Sequence, residues 1–380
     1  MVILLVGGGT GGHITPNLAV ARELKKLQPD CRIIQVSDKG NKRFGHMAAE
    51  EPAVDRVYTI RAGKFRRYYG VPIWKQLLDF KTTLFNIRDF FYFIIGFFQS
   101  IKMLWKLTPD VVFLKGGFVG VPVGLAAALL HIPIVTHDSD AIPGLANRIV
   151  ARWAQVHATG MPAETYPYPP AKTRHVGVLV SDMYELVTPQ MRVAYRSALH
   201  LPQKAMVIFV TGGSSGAQRL NKAVAVVIPQ LLALYADLWV VHQVGKGNMD
   251  TYGEYSHERL QVAEFLSNLH QYSGAADIVI TRAGATALAE MGVQGKACIV
   301  VPNPVLTGGQ QPKNAAGLIT SGAALVVSEE PFKRGDTSQL LAALTDLIDH
   351  PAQRQALGKA FHEQTPLDAA RQVAQLLLEA

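Results

Sequence analysis

The chain has 380 residues, too many for one ordinary hydrophobic core and suited to two domains. Hydrophobic residues make up 49% and charged residues 17%, which excludes disorder, a state of few apolar residues and many charges. Lysine and arginine number 37 against 29 aspartate and glutamate, a formal +8 that favours an anionic partner such as nucleic acid, lipid headgroups or phosphorylated metabolites.

The first element is the apolar run Val2–Val6, read as a strand and not a signal peptide because no basic segment precedes it. Gly7-Gly8-Gly9-Thr10-Gly11-Gly12 follows, then a helical pattern from Pro16 to Lys26 and a second strand, Arg32–Val36, ending near Asp38. Cys31 and Cys298 lie too far apart in sequence for a disulfide framework, which points to a reducing compartment. Residues 64–106 then gather Lys64, Arg66, Arg67, Lys75, Lys81, Arg88, Lys102 and Lys106 among many aromatic side chains. The run Phe90–Phe98 falls far short of the ~20 residues that span a bilayer, so the sequence predicts no transmembrane helix there. Its density of Phe and Ile, flanked by cations, instead suits a segment lying on an anionic membrane, with Phe90, Phe91, Phe97 and Phe98 entering the headgroup boundary. A hairpin of core helices or an oligomer contact is the competing expectation.

The next elements repeat the first. Asp110–Leu114, Lys115, Gly116-Gly117, an alanine-rich helix and Ile132–Val135 read strand, glycine turn, helix, strand. Met206–Val210, Gly212-Gly213-Ser214-Ser215-Gly216 and Leu220–Leu234 open a second half in the same way, and Asp277–Thr281, Arg282-Ala283-Gly284 and Ala285–Gly292 continue it before Ala297–Val301. Short apolar strands alternating with helices predict an α/β fold of two Rossmann-like domains with parallel sheets. Ligands are expected along a cleft at the carboxyl ends of both sheets. The boundary is expected between the proline-rich residues 162–170 and Thr188-Pro189, and the terminal pattern Leu367–Leu378 to cross back onto the first domain.

Gly7-x-Gly9-x-x-Gly12 after a strand fits a dinucleotide turn, and Asp38 stands where a ribose-binding acid would, so a nicotinamide-dependent oxidoreductase is one reading. It leaves the second glycine turn and His13 without a role.

Gly8-Gly9-Thr10-Gly11-Gly12-His13 resembles the opening of the MurG family, peripheral membrane glycosyltransferases that move N-acetylglucosamine from UDP-GlcNAc to lipid I. The resemblance continues through Gly116-Gly117-Phe118-Val119, Gly212–Ala217 with Leu220-Asn221, Glu264-Phe265-Leu266, Arg282-Ala283-Gly284-Ala285, Glu290, and Gln310-Gln311 with Asn314. It implies the GT-B architecture, with an N-terminal acceptor and membrane domain at 1–178, a C-terminal donor domain at 179–361 and a returning helix at 362–380.

The resemblance also implies roles. Thr10, Gly11 and Gly12 would lie near the diphosphate or the acceptor, with Gly9, Gly116 and Gly117 on the acceptor side. Ser214 and the backbone of Ala285, Thr286 and Ala287 would hold the UDP diphosphate at a helix start. The Leu266 backbone would read uracil, Glu290 the ribose hydroxyls, and Gln310 and Gln311 the sugar. His13, whose ordinary pKa of ~6.5 suits a general base, would take the proton of the acceptor hydroxyl. Two departures from the family pattern stand out: His137-Asp138-Ser139-Asp140 replaces His-Glu-Gln-Asn, and Gly177–Ser181 lacks the arginine of Gly-Asn-Pro-Val-Arg. Asp140 is thus a rival base, or a partner for a sugar hydroxyl. Asp138-x-Asp140 also matches the metal-binding pair of a different glycosyltransferase fold, but no metal or other cofactor is expected, and no nucleic acid partner. A transferase for another UDP-sugar or lipid acceptor, and an inactive nucleotide-sugar-binding module, complete the alternatives.

Overall fold

The computed structural model describes residues 1–8, 11–40, 42–66, 78–213, 216–305 and 308–380. They form two compact units, Met1–Ser181 with Pro366–Ala380, and Asp182–Thr365.

The first unit is built on seven parallel strands: β1 Val2–Val6, β2 Arg32–Asp38, β3 Arg56–Ile60, β4 Val111–Leu114, β5 Ile134–Asp138, β6 Val156–Thr159 and β7 Thr173–His175. Their spatial order is β3-β2-β1-β4-β5-β6-β7. The central strands are continuous apolar runs because both faces are covered: Ile3, Leu5, Val111 and Phe113 enter one core, Leu4, Val6, Val112 and Leu114 the other. β1 pairs with both β2 and β4, so strand order reverses there and a crevice opens at the carboxyl ends.

The terminal helix Ala369–Glu379 packs in this unit against the helix Gly11–Leu27, with Val373 and Leu377 fully buried beside Ile3, Val20 and Leu24. Each such side chain stabilises the unit by roughly 1.5–3 kcal/mol. Gly177, at φ +91°, permits the return of the chain, since a Cβ there would stand 2.5 Å from the Cβ of Pro366.

The apolar run Phe90–Phe98 is only the middle of a 28-residue helix, Phe80–Leu107. The Asp79 carboxylate caps it by accepting the Thr82 N–H at 3.2 Å. By length and composition this helix is able to cross a membrane, so the length argument against a span does not hold. Arg88, Asp89, Lys102 and Lys106 flank the apolar run without interrupting the helix. One face, including Gly96, Ser100, Met103, Leu104 and Leu107, is buried against the unit. The opposite face carries a stripe at helical spacing: Phe80, Leu84, Ile87, Phe91, Ile95, Phe98 and Trp105, all exposed. Phe90 is also exposed, but Phe97 is half-buried against the core around Leu104 and Val123, so it stands apart from the other three phenylalanines of the expected membrane face.

The second unit repeats the plan with six parallel strands: β8 Met206–Thr211, β9 Leu238–Gln243, β10 Leu260–Ala263, β11 Ile278–Thr281, β12 Ala297–Val300 and β13 Leu325–Val326. The order is β10-β9-β8-β11-β12-β13, and the reversal falls between β8 and β11. Both units therefore place a switch point beside a glycine turn.

Candidate active site

At the first switch point, Gly7 must be glycine because a Cβ there would meet the His13 carbonyl oxygen at 2.3 Å. This lets the first turn of the helix Gly11–Leu27 close over the end of β1. After β4, Gly116 and Gly117 adopt φ of +105° and +81°, and Gly117 lies against the His13 ring. The His13 Nδ1 is buried with no hydrogen-bond partner among the described residues. Burial, helped by the nearby Lys115 ammonium, lowers the His13 pKa to about 4, so the ring is neutral at neutral pH.

Lys115 ends the β4 run and is buried, its ammonium donating to Ser139 Oγ at 2.8 Å. Burial lowers its pKa to about 8, against the charges of Asp138 and Asp140, which raise it. Asp138 turns inward: it accepts the Gly144 N–H at 2.9 Å and the Tyr168 hydroxyl at 2.8 Å, and burial raises its pKa. It is thereby committed to the scaffold. Among the described residues no group of three or more His, Cys, Asp or Glu is placed to hold a metal. The Asp140 carboxylate acts on both His13 and Lys115, while its backbone carbonyl accepts the Tyr166 hydroxyl at 2.8 Å. His13, Lys115, Ser139 and Asp140 thus form one polar group beside Gly116 and Gly117.

At the second switch point, Gly216 has φ +74°, and a Cβ there would meet the Val244 carbonyl oxygen at 2.2 Å. The helix Ala285–Val293 starts after β11 behind Gly284, with no side-chain cap, and presents Ala285, Thr286 and Ala287 as its first turn. A helix start behind a glycine N-cap turns its first backbone N–H groups and positive dipole end toward the end of the sheet, a geometry that suits a phosphate. Glu290 lies farther along this helix, where burial raises its pKa to about 8 and the Tyr184 hydroxyl is its hydrogen-bond partner. The Leu266 N–H donates to Gln243 Oε1 at 2.9 Å, so the carbonyl is the group this residue offers a base. Gln310 and Gln311 open the helix Gln310–Ser321, and Gln311 Oε1 accepts the Asn303 N–H at 2.8 Å. What Gln311 offers a sugar is its NH₂ group. Arg282 is structural, buried in an ion pair with Glu329.

Gly11 and Gly12 open the helix beside His13. Gly9, Thr10 and Ser214 lie outside the described residues. Sequence reasoning gave no role to Lys115, Tyr184 or Gln243. A lysine closing an apolar strand before two glycines was a readable signal for the first; no local pattern marks the other two.

The chain matches the glycosyltransferase family 28 N-terminal domain over residues 3–159 and the glycosyltransferase family 28 C-terminal domain over residues 207–373. It is 31% identical over 378 residues to the UDP-N-acetylglucosamine–N-acetylmuramyl-(pentapeptide) pyrophosphoryl-undecaprenol N-acetylglucosamine transferase of Salinibacter ruber, covering 99% of this chain and 96% of the relative. The enzyme of the same name from Lachnospira eligens is 34% identical over 351 residues, covering 91% of this chain and 90% of the relative. Among solved structures, MurG of Acinetobacter baumannii superposes with a TM-score of 0.71 at 24% identity, covering 100% of this chain and 99% of that one, and shares the pair of Rossmann-like domains of the GT-B class. With family 28 domains over both halves and relatives above 30% identity along nearly its whole length, the chain belongs to glycosyltransferase family 28 and, within it, to the MurG family.

Proposed function

We propose that the protein is an inverting hexosyltransferase that moves N-acetylglucosamine from UDP-GlcNAc to undecaprenyl-diphospho-MurNAc-pentapeptide in peptidoglycan synthesis. The observation that carries this reading is that each unit has a switch point of its own, and that the two differ in chemistry. One has a neutral imidazole against a glycine pair; the other has a helix start behind Gly284 and a protonatable carboxyl on the same helix. The first can accept a proton from a hydroxyl, although burial leaves its imidazole a weaker base than the ordinary one expected from sequence; the second suits a nucleoside diphosphate. The relatives named above carry the corresponding activity in their names.

In the proposed reaction His13 takes the proton as the acceptor oxygen attacks the anomeric carbon in a single displacement, which inverts it. The first-turn amides of Ala285, Thr286 and Ala287, with Ser214, take up the charge of departing UDP. Glu290 binds the ribose hydroxyls, the Leu266 carbonyl the uracil, and Gln310 and Gln311 the sugar. Thr10, Gly11, Gly12 and Asp140 complete the donor side, and Gly9, Gly116 and Gly117 the acceptor side. The acceptor, donor and returning-helix roles expected for 1–178, 179–361 and 362–380 are proposed for the two compact units, whose own limits fall at 181/182 and 365/366. The exposed stripe of the Phe80–Leu107 helix supports peripheral attachment to an anionic membrane on its cytoplasmic face. The test is UDP release from UDP-GlcNAc with and without a polyprenyl-diphosphoryl-MurNAc acceptor. Release only with the acceptor is expected. Release without it, or hydride transfer with NAD(P)H, would defeat the reading, and UDP-GlcNAc binding without turnover would indicate an inactive binding module.

A further inference from the structure

The second unit has a cavity at the edge of its sheet opposite the glycine turn. Asp237, Asp277 and Lys296, which line it, stand immediately before β9, β11 and β12, and Met206 is the first residue of β8. The pocket thus lies at the amino edge, away from the carboxyl ends where the donor is expected. Its volume is about 730 Å³, within the ~300–1,000 Å³ usual for ligand sites. Four cations line it, Arg192, Lys204, Lys296 and Arg354, against the two carboxylates.

Little of that positive charge is answered from within. Asp277 is already shared by Arg192 Nη2 at 2.5 Å and the fully buried Arg196 at 2.8 Å, and it accepts the Val207 N–H at 2.8 Å. Arg192 Nε is buried with no hydrogen-bond partner among the described residues. Lys296 is 7% exposed, and its three N–H groups share one acceptor among the described residues, the Gly274 carbonyl oxygen at 3.1 Å. Burial lowers its pKa to about 8, against the Asp277 charge, which raises it. A buried ammonium short of acceptors is costly, and an anion in the pocket would supply them. The Arg354 guanidinium donates to the Leu347 and Ile348 carbonyls, which fixes it in place. The helices Pro189–Ala198 and Pro351–Glu363 also begin at the pocket wall and add their positive ends.

Cations on separate elements around a cavity suit a compact anion of high charge. A surplus of two positive charges matches a phosphate monoester, and planar guanidinium forks match its oxygens. Leu186, Met206 and Pro351 leave apolar surface for the rest of the molecule. We infer that this pocket binds a small phosphorylated metabolite and is an effector site coupled to the donor helix. The coupling runs through two segments of chain. Leu186 and Val187 closely follow Tyr184, and Gln294, Gly295 and Lys296 directly follow the helix Ala285–Val293, which carries Glu290. The Val187 N–H donates to the Gln294 carbonyl oxygen at 3.5 Å, and a Cβ on Gly295 would lie 3.0 Å from Leu186 Cδ1. A ligand seated against Leu186 and Lys296 therefore bears on both segments that hold the Tyr184–Glu290 pair. The coupling, though not the binding, rests on the function proposed above.

The test titrates inorganic phosphate calorimetrically into the full chain with saturating UDP, which keeps phosphate from the donor helix, and compares succinate. The wild type is expected to bind phosphate roughly tenfold more tightly than succinate. Lys296→Met, which keeps the buried aliphatic stem, should weaken phosphate binding roughly tenfold, and Lys204→Gln, at an exposed position, severalfold. Lys204→Gln carries the test if the buried substitution disturbs folding. Equal affinity for succinate would overturn the phosphate. Absent phosphate binding, or wild-type binding by both variants, would overturn the site. Saturating phosphate should also change the UDP affinity of the wild type by about fivefold or more, and that of Lys296→Met by less. Competition at the donor helix would act on both proteins alike, and that result, or an unchanged UDP affinity, would overturn the coupling. A wild type that does not bind UDP would instead be a failure of the proposed function, and phosphate binding in the pocket is read without it.

Discussion

Gly117 and His13 fit each other closely: a Cβ on Gly117 would lie 3.2 Å from Cδ2 and 3.4 Å from Nε2 of the imidazole, and 3.0 Å from the Gly8 carbonyl oxygen. Gly117 also sits at φ +81°, which costs any L side chain roughly 1–2 kcal/mol. Gly117→Ala is therefore expected to lower stability by about that amount and to displace the ring on which proton transfer depends. Steady-state kinetics should show kcat down roughly tenfold or more, with UDP affinity near wild type. Equal losses in kcat and UDP affinity would remove the link between this glycine and the base.

His13→Ala should lower kcat about 10²–10⁴-fold with UDP binding nearly intact, the usual cost of losing a general base. Asp140→Asn, which restores the residue usual in the family, should cost less than about tenfold. The pH profile sharpens the assignment. With its pKa lowered to about 4, the free enzyme keeps a neutral imidazole well into the acid range, so the acid limb of kcat/KM should fall near pH 4. Lys115 contributes to that lowering, so Lys115→Met should move the limb upward, toward the ordinary histidine range. A dead Asp140→Asn variant beside an active His13→Ala variant would exchange the two roles.

The reach of the sequence is clearest at these residues. Apolar runs such as Val2–Val6 and Met206–Val210 announce buried parallel strands because no other surface of the fold is apolar on both faces. Glycine turns after two of them mark the switch points, and His13 follows one directly. Lys115 is different. Its character comes from burial beside Ser139, Asp138 and Asp140, strand ends brought together only by the β1-β4-β5 order. Tyr184 meets Glu290 in the same way, across a long separation in the chain. The long helix was underestimated because hydropathy counts Arg88 and Asp89 as interruptions, whereas the fold buries Asp89 and pairs it with two arginines.

The apolar stripe separates membrane attachment from folding. Phe91 and Phe98 are 59% and 63% exposed, so changing both to Ser should leave the melting temperature within a few degrees. Co-sedimentation with anionic vesicles should fall markedly, and further with added salt. Phe97 packs against the core, and Phe97→Ser should cost roughly 1–3 kcal/mol of stability while changing vesicle binding little. Retention of Phe91→Ser/Phe98→Ser on vesicles at the wild-type level would exclude this face as the anchor.

Glu290 links folding stability to pH. Burial raises its carboxyl from 4.5 to about 8, so at neutral pH the unliganded protein holds it largely protonated. A pKa raised on folding contributes stability that is complete below pH 4.5 and is lost as the pH climbs through about 8. Glu290→Gln keeps a neutral hydrogen-bonding side chain and has no proton to lose. It should match the wild type in denaturant titrations at pH 5 and exceed it at pH 9, by on the order of 2–4 kcal/mol. Ligand binding tests the other half of the assignment. If the side chain holds the ribose hydroxyls, Glu290→Ala should weaken UDP binding by about 1–3 kcal/mol at any pH. A variant that gained stability at pH 9 but bound UDP as tightly as the wild type would leave Glu290 a buried acid of the scaffold, and the ribose contact would pass to another group.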